Sequence, residues 1–261
     1  MRVMVTNDDG VDAPGLHALA VQLADDGHEV QVVAPSRDHS GFGAALGPLH
    51  VTGKVAFERR TVASLAGVEV IAVDGPPALC VLSACLGGFG ELPELVVSGI
   101  NAGANTGRAL LHSGTVGAAF TANSFGVRAI AVSQVIGDTT HWSTAAIAAA
   151  GLADWVRAQP DVLTVNVNVP NVEAQVVPAH VARLDRGGEV QTGMYETAEG
   201  SLELRLSPDA PAPGTDTAVL AAGCIAITPL QALHPCETTV DAALHGITAA
   251  LAAAGARQRV A

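Results

Sequence analysis

Short apolar runs alternate along the first two thirds of the chain with longer stretches whose apolar positions recur every three or four residues. The runs are Val3-Met4-Val5, Val30 to Pro35, Val68 to Val73, Leu95 to Ile100, Ala129 to Val135 and Leu163 to Val169. Each is bounded by polar residues, glycine or proline and reads as a buried strand. Between them, Leu16, Leu19, Ala20 and Leu23 follow Pro14 at helical spacing. Leu79, Leu82 and Leu86 share one face of a second helix, and Trp142, Ala146, Ala149, Ala153 and Val156 make a longer stripe. Pro14 suits a first helical turn and Gly27 the position just past a helix end. Strand, helix and strand within about 35 residues is the βαβ signature. The pattern predicts an α/β protein with a Rossmann-like parallel sheet core over residues 1–171.

Beyond Asn171 the pattern changes. Prolines and glycines become denser, and Ser201-Leu202-Glu203-Leu204-Arg205-Leu206 alternates strictly. Residues 172–261 are therefore expected to form a smaller β-rich lobe or arm, with a strand at Cys224 to Thr228 and a closing alanine-rich helix from Val240 to Ala254.

The polar residues gather behind the strands. Asn7-Asp8-Asp9-Gly10 follows the first, Arg37 to Gly43 the second, and Asn101 to Gly107 the fourth; Ser113-Gly114-Thr115 opens an apolar helix. In open α/β sheets ligands bind at the carboxyl ends of the strands, so four such segments on one rim predict an active site. Adjacent carboxylates repel and are costly to desolvate, and a hard divalent cation relieves both. Asn, Asp and Gly are also ordinary turn formers, so this stretch alone leaves metal site and polar turn open. Carboxylates, a serine hydroxyl and carboxamide oxygens suit Mg²⁺, Mn²⁺ or Ca²⁺ better than zinc or copper. Glycine-rich backbone and a helix N-terminus suit a phosphate. A cation that polarises a phosphoryl oxygen and acidifies water completes the chemistry of phosphate monoester hydrolysis.

Composition narrows the alternatives. The chain has 261 residues, 49% hydrophobic and 15% charged, which is globular rather than disordered. The net charge is −12 and the 13 basic residues are scattered, with Lys54 the only lysine. That argues against binding a nucleic-acid polymer. No G-x-x-x-x-G-K-[ST] motif is present, which excludes a P-loop nucleotide triphosphatase. The adjacent carboxylates lack the Asp-x-Asp spacing of aspartyl-phosphate phosphatases and of many metal-dependent glycosyltransferases. Gly41-Phe42-Gly43 with Gly47 mimics a dinucleotide fingerprint but follows the wrong strand. Cys80, Cys85, Cys224 and Cys236 form no C-x-x-C pair, which fits a reducing compartment. The chain opens directly into a strand, and its longest uncharged run carries too many polar groups for a membrane span. A cytoplasmic, membrane-independent protein is expected.

The motifs together resemble the SurE family, the survival protein E nucleotidases. The resemblance is carried by Thr6-Asn7-Asp8-Asp9-Gly10 with Ala13-Pro14-Gly15, and by Val33-Ala34-Pro35 with Ser40-Gly41. It continues through Ser98-Gly99-Ile100-Asn101-Ala102-Gly103 with Asn105 and Gly107, and Ser113-Gly114-Thr115-Val116-Gly117-Ala118-Ala119. Asn166-Val167-Asn168-Val169-Pro170 and Ile227-Thr228-Pro229-Leu230 extend it over essentially the whole chain.

The resemblance implies a divalent-metal-dependent phosphatase acting on nucleoside 5′- and 3′-monophosphates. It leaves open a phosphatase for another phosphomonoester or short polyphosphate, and a non-catalytic nucleotide-binding relative. It implies one Mg²⁺ or Mn²⁺ per subunit (Ca²⁺ as a substitute in a crystal) held by Asp8, Asp9, Ser40 and Asn101. Ser113, Gly114 and Thr115 would cradle the phosphate and Asn105 would orient substrate. Asp8 or Asp9 would share the role of base, and His234 is the candidate acid. The C-terminal lobe would assemble a homodimer or homotetramer. His112 stands where tyrosine is common, and His39 precedes Ser40. Gly41 to Gly47 replaces a more polar segment, and Thr121-Ala122 stands where Glu-Gly is frequent. The first of these two changes bears on substrate preference, the second on packing behind the phosphate loop.

Overall fold

The structure, a computed structural model, describes residues 1–173, 176–186, 192–197, 199–206 and 210–231. In chain order its strands are β1 (Arg2–Thr6), β2 (Glu29–Pro35), β3 (Phe57–Arg60), β4 (Glu69–Val73), β5 (Leu95–Ala102), β6 (Arg128–Gln134), β7 (Thr164–Val169), β8 (Ala179–Val181), β9 (Thr192–Glu196), β10 (Leu202–Leu206) and β11 (Ile225–Leu230). Its helices are α1 (Pro14–Asp25), α2 (Leu49–Thr52), α3 (Pro77–Cys85), α4 (Gly114–Ser124), α5 (Trp142–Arg157) and α6 (Asp216–Ala221). Among the described residues, nine strands form one sheet in the order β3-β4-β2-β1-β5-β6-β7-β11-β8. Its centre, from β4 to β7, is parallel, as the βαβ pattern predicts.

Strand residues alternate between two cores because successive side chains leave opposite faces. Val3 and Val5 pack with Leu16, Leu19 and Leu23 of α1 and Ala146, Ala149 and Ala153 of α5. Met4 between them packs on the other face with Leu79, Cys80 and Val81 of α3 and Val116, Ala119 and Ala122 of α4. Burial on both faces explains why the central strands read as continuous apolar runs.

Three elements depart from expectation. Leu86 lies just past the end of α3 and is exposed, because the helix stops at Cys85 ahead of Gly87-Gly88. The edge strand β3 pairs antiparallel with β4, and its exposed or half-buried Phe-Glu-Arg-Arg sequence gave no strand signal. The strand expected near residues 224–228 exists, but it returns to the main sheet as β11, antiparallel to β7 and parallel to β8. Ser201 to Leu206 does form an antiparallel ribbon, with β9. The expected closing helix and His234 lie outside the described residues.

Because β1, β2 and β5 run parallel, the segments following all three emerge on one rim. Between Ser98 and Asn101 the pairing with β6 shifts register. Gly99 sits there at φ 139 with its Cα against the Val132 carbonyl, where a Cβ has no room. That shift carries Asn101 onto the rim.

Candidate active site

Asp8 and Asp9 stand just beyond the carboxyl end of β1. Asp8 is 3% exposed and Asp9 half-buried. The first turn of α4 closes over Asp8. The Thr115 hydroxyl donates to Asp8 Oδ1 at 2.5 Å. Gly114 is part of this seat, since a Cβ there would lie 2.7 Å from both Asp8 Cβ and Oδ2. Ser113 caps the helix, its Oγ accepting from the Val116 N–H at 3.2 Å. The Asp8 carbonyl accepts from the His39 N–H at 2.8 Å, which ties the loop after β2 to the loop after β1. Asp9 Oδ2 accepts from the Ala102 N–H at 3.3 Å, which ties in the end of β5.

All four rim segments thus meet here, the other three bonding to the carboxylates or the backbone of Asp8 and Asp9. Among the described residues, no basic side chain forms an ion pair with either; the ion pairs lie elsewhere, at Arg2, Arg37, Arg59, Arg60 and Arg157. Burial pushes the Asp8 carboxyl up, against the opposing pull of Thr115. Burial, and then the neighbouring charge of Asp8, raises Asp9 to about 6. Among the described residues, neither carboxylate has a countercharge.

The neutral candidates are oriented to supply oxygen. Ser40 is exposed, and its Oγ donates to Asp38 Oδ1 at 2.7 Å. The Ser40 N–H donates to the same oxygen at 2.7 Å, and the hydroxyl bond, with this one second to it, holds the Asp38 carboxyl below its ordinary range. The Asn101 Nδ2 donates to the Gly103 carbonyl at 2.7 Å. In each case the hydrogen is used within the chain, which leaves lone pairs of Ser40 Oγ and Asn101 Oδ1 for an external cation. Two carboxylates with neutral oxygens form a hard donor set. Among the described residues, no group of three or more His, Cys, Asp or Glu gathers in metal-binding fashion. By donor chemistry the oxygens of Asp8, Asp9, Ser40 and Asn101 are of the hard kind that Mg²⁺ or Mn²⁺ takes, without the nitrogen or sulfur ligands usual at a zinc centre.

Asn105 takes a different place. Its Nδ2 donates to Ser133 Oγ at 2.8 Å, its N–H to Asn168 Oδ1 at 2.8 Å, and its carbonyl accepts from the Asn166 and Asn168 carboxamides. It is buried, and it ties the loop after β5 to β6 and β7. Asp216, 0% exposed at the start of α6, holds the same loop from the C-terminal side. Its carboxylate accepts from the backbone N–H groups of Gly107 at 2.8 Å, Asp185 at 2.9 Å and Thr217 at 2.9 Å. Sequence reasoning did not single out Asp38 or Asp216. Asp38 carried a local signal, an acidic residue two positions before a serine; Asp216 carried none.

The family model "Survival protein SurE" matches residues 3–189. A 5′-nucleotidase SurE of Xanthomonas campestris pv. campestris is 38% identical, over 96% of this chain and 98% of its own. A 5′-nucleotidase SurE of Xanthomonas oryzae pv. oryzae is 37% identical over the same shares. The crystal structure of the SurE protein from Aquifex aeolicus superposes with a TM-score of 0.74 at 26% identity, covering 95% of this chain and 100% of that one. Family model, curated relatives and fold converge: this chain belongs to the survival protein SurE family.

Proposed function

We propose that the protein is a divalent-cation-dependent phosphoric monoester hydrolase that removes phosphate from nucleoside 5′-monophosphates, and from 3′-monophosphates at the same centre. The observation that carries this is the Asp8–Asp9 pair, desolvated and, among the described residues, without a countercharge, with the Ser40 hydroxyl and Asn101 carboxamide on the loops that meet it, each donating its hydrogen within the chain. The curated relatives, named 5′-nucleotidases, supply the substrate class.

Asp8, Asp9, Ser40 and Asn101 would hold the cation. When bound, it supplies Lewis-acid chemistry, polarising the phosphoryl group and acidifying water. The chain's own residues do the rest. Thr115 fixes the Asp8 carboxylate in one orientation through its hydroxyl. The first turn of α4 presents the positive end of a helix dipole to the dianionic phosphate. Ser113, at the mouth of that turn, borders the space where the phosphate must sit. Asp9, which burial and the neighbouring Asp8 raise to about 6 when no cation is present, would combine ligation with the role of base toward an attacking water.

Assembly with copies of itself through the C-terminal β segments belongs to the same reading. It is supported by the exposed Val176, Val181 and Leu202. Among the described residues, no helix is long and apolar enough to cross a membrane.

The test is phosphate release from 5′-AMP and 3′-AMP by the purified protein with Mn²⁺, with Mg²⁺ and with a chelator. Release that the chelator abolishes is expected. No release from either nucleotide by folded protein with any divalent cation would refute the proposal.

A further inference from the structure

The segment Gly41-Phe42-Gly43-Ala44-Ala45-Leu46-Gly47 follows Ser40 directly, yet it contains no side chain able to form a hydrogen bond. Its backbone is well tied. The Phe42 N–H donates to the His39 carbonyl, the Ala45 N–H to the Phe42 carbonyl, and the Gly43 N–H to the His112 carbonyl at 3.1 Å. Gly43 and Ala44 also lie against Gly117 of α4, where a Cβ would have no room. Residues 42–44 therefore run beside Leu111 and His112, the stretch that leads into Ser113.

Two large apolar side chains stand open on this rim. Phe42 is 52% exposed and Leu111 80% exposed. The Phe42 ring is braced by His39, with ring centroids 5.1 Å apart and planes at 76°. His39 in turn is anchored to the Asp8 carbonyl through its N–H and to the Arg37 carbonyl through Nδ1. An exposed aromatic ring on a fixed backbone, three residues from a buried anchor at the carboxylate pair, is a stacking platform.

We propose that Phe42, with Leu111 beside it, is the shelf that receives the nucleobase of the substrate. This rests on the nucleotidase reading above. With the phosphate at the start of α4 and the carboxylates, the leaving nucleoside must project outward across the rim. There it meets two apolar side chains and no hydrogen-bonding side chain from residues 41–47. Such a surface holds a planar base by its face and does not read its edge. It therefore predicts preference for base-bearing esters with little discrimination between adenine and guanine.

The test compares kcat/KM for 5′-AMP, 5′-GMP and ribose 5-phosphate, which lacks the base, in the wild type, Phe42→Ala and Phe42→Tyr. The wild type should prefer both nucleotides to ribose 5-phosphate. Phe42→Ala should lower the AMP to ribose 5-phosphate ratio by about 5- to 100-fold, the range of single base-stacking contacts, and Phe42→Tyr should restore most of it. Equal losses on both substrates, or an unchanged ratio, would overturn the shelf while leaving the phosphatase intact. A wild type that hydrolyses neither ester would overturn the nucleotidase reading and the shelf with it.

Discussion

Gly114→Ala isolates the geometry of the carboxylate pair. Gly114 is the first residue of α4 and has ordinary helical backbone, so alanine is locally acceptable and helix propensity favours it by up to about 1 kcal/mol. The cost lies across the seat. A Cβ would sit 2.7 Å from Asp8 Cβ and Oδ2, about 0.7 Å inside ordinary contact. Asp8 cannot simply swing away, because it is buried and Thr115 holds its Oδ1. Overpacking of this size costs about 1–3 kcal/mol, so the net loss of stability should stay within about 2 kcal/mol and the protein should fold. The carboxylate, however, must shift by most of an ångström, and misplacements of about 1 Å cost on the order of 10² in rate. We therefore expect kcat/KM for 5′-AMP to fall at least about 10²-fold. Mn²⁺ affinity by calorimetric titration should weaken in parallel, with a Tm within about 8 °C of wild type. A folded Gly114→Ala protein with near-normal turnover and cation affinity would refute the claim that α4 seats a ligating Asp8.

Asp9→Asn should abolish phosphate release, and it should also change the pH dependence of stability. The folded state raises Asp9 from 3.8 to about 6, so this group weakens folding as pH rises through that window and keeps the penalty above it. The penalty is about 3 kcal/mol if Asp9 were fully shielded and about 1–2 kcal/mol after allowing for its partial exposure. The cation-free variant should therefore melt a few degrees above wild type at pH 7.5 and level with it near pH 4; equal melting at both pH values would contradict the assignment. Asp216→Ala should leave two buried N–H groups and one partly buried one without their acceptor, costing about 3 kcal/mol or more and lowering Tm by roughly 6–12 °C, read by calorimetry. Asp38→Ala frees the Ser40 hydroxyl to rotate, so it should weaken Mn²⁺ binding by about tenfold with a smaller effect on saturated kcat; unchanged cation affinity would show that Asp38 does not position Ser40.

The residues legible in the sequence are those whose role shows within a few positions. The central strands announce themselves because both faces are covered, so every position from Leu95 to Val97 must be apolar. Asp8 and Asp9 stand out because charge is rare where a buried strand ends. Residues with distant partners behave differently. Asp216 meets Gly107 across 109 positions, and Asn166 meets Asn105 across 61. A lone Asp after Gly-Thr and an Asn inside a strand are locally indistinguishable from ordinary surface residues. The same holds for β11, whose apolar pattern shows a strand but not that it returns to pair with β7.

That asymmetry has a physical consequence for the site. The groups that would touch cation and substrate sit on short loops where local sequence dictates local geometry: Asn7 bonds Gly10 in both directions, and Asp38 bonds Ser40 twice. The groups that keep those loops in register are buried carboxamides and one buried carboxylate on β7 and α6. They bind no ligand in this reading, yet without them the loop from Asn101 to Gly107 would lose its backbone partners to water. Substitutions at Asn168 or Asp216 should therefore mimic active-site lesions in activity assays while betraying themselves in thermal stability. A lesion at Asp9 should do the reverse, removing turnover while leaving the fold unharmed or more stable.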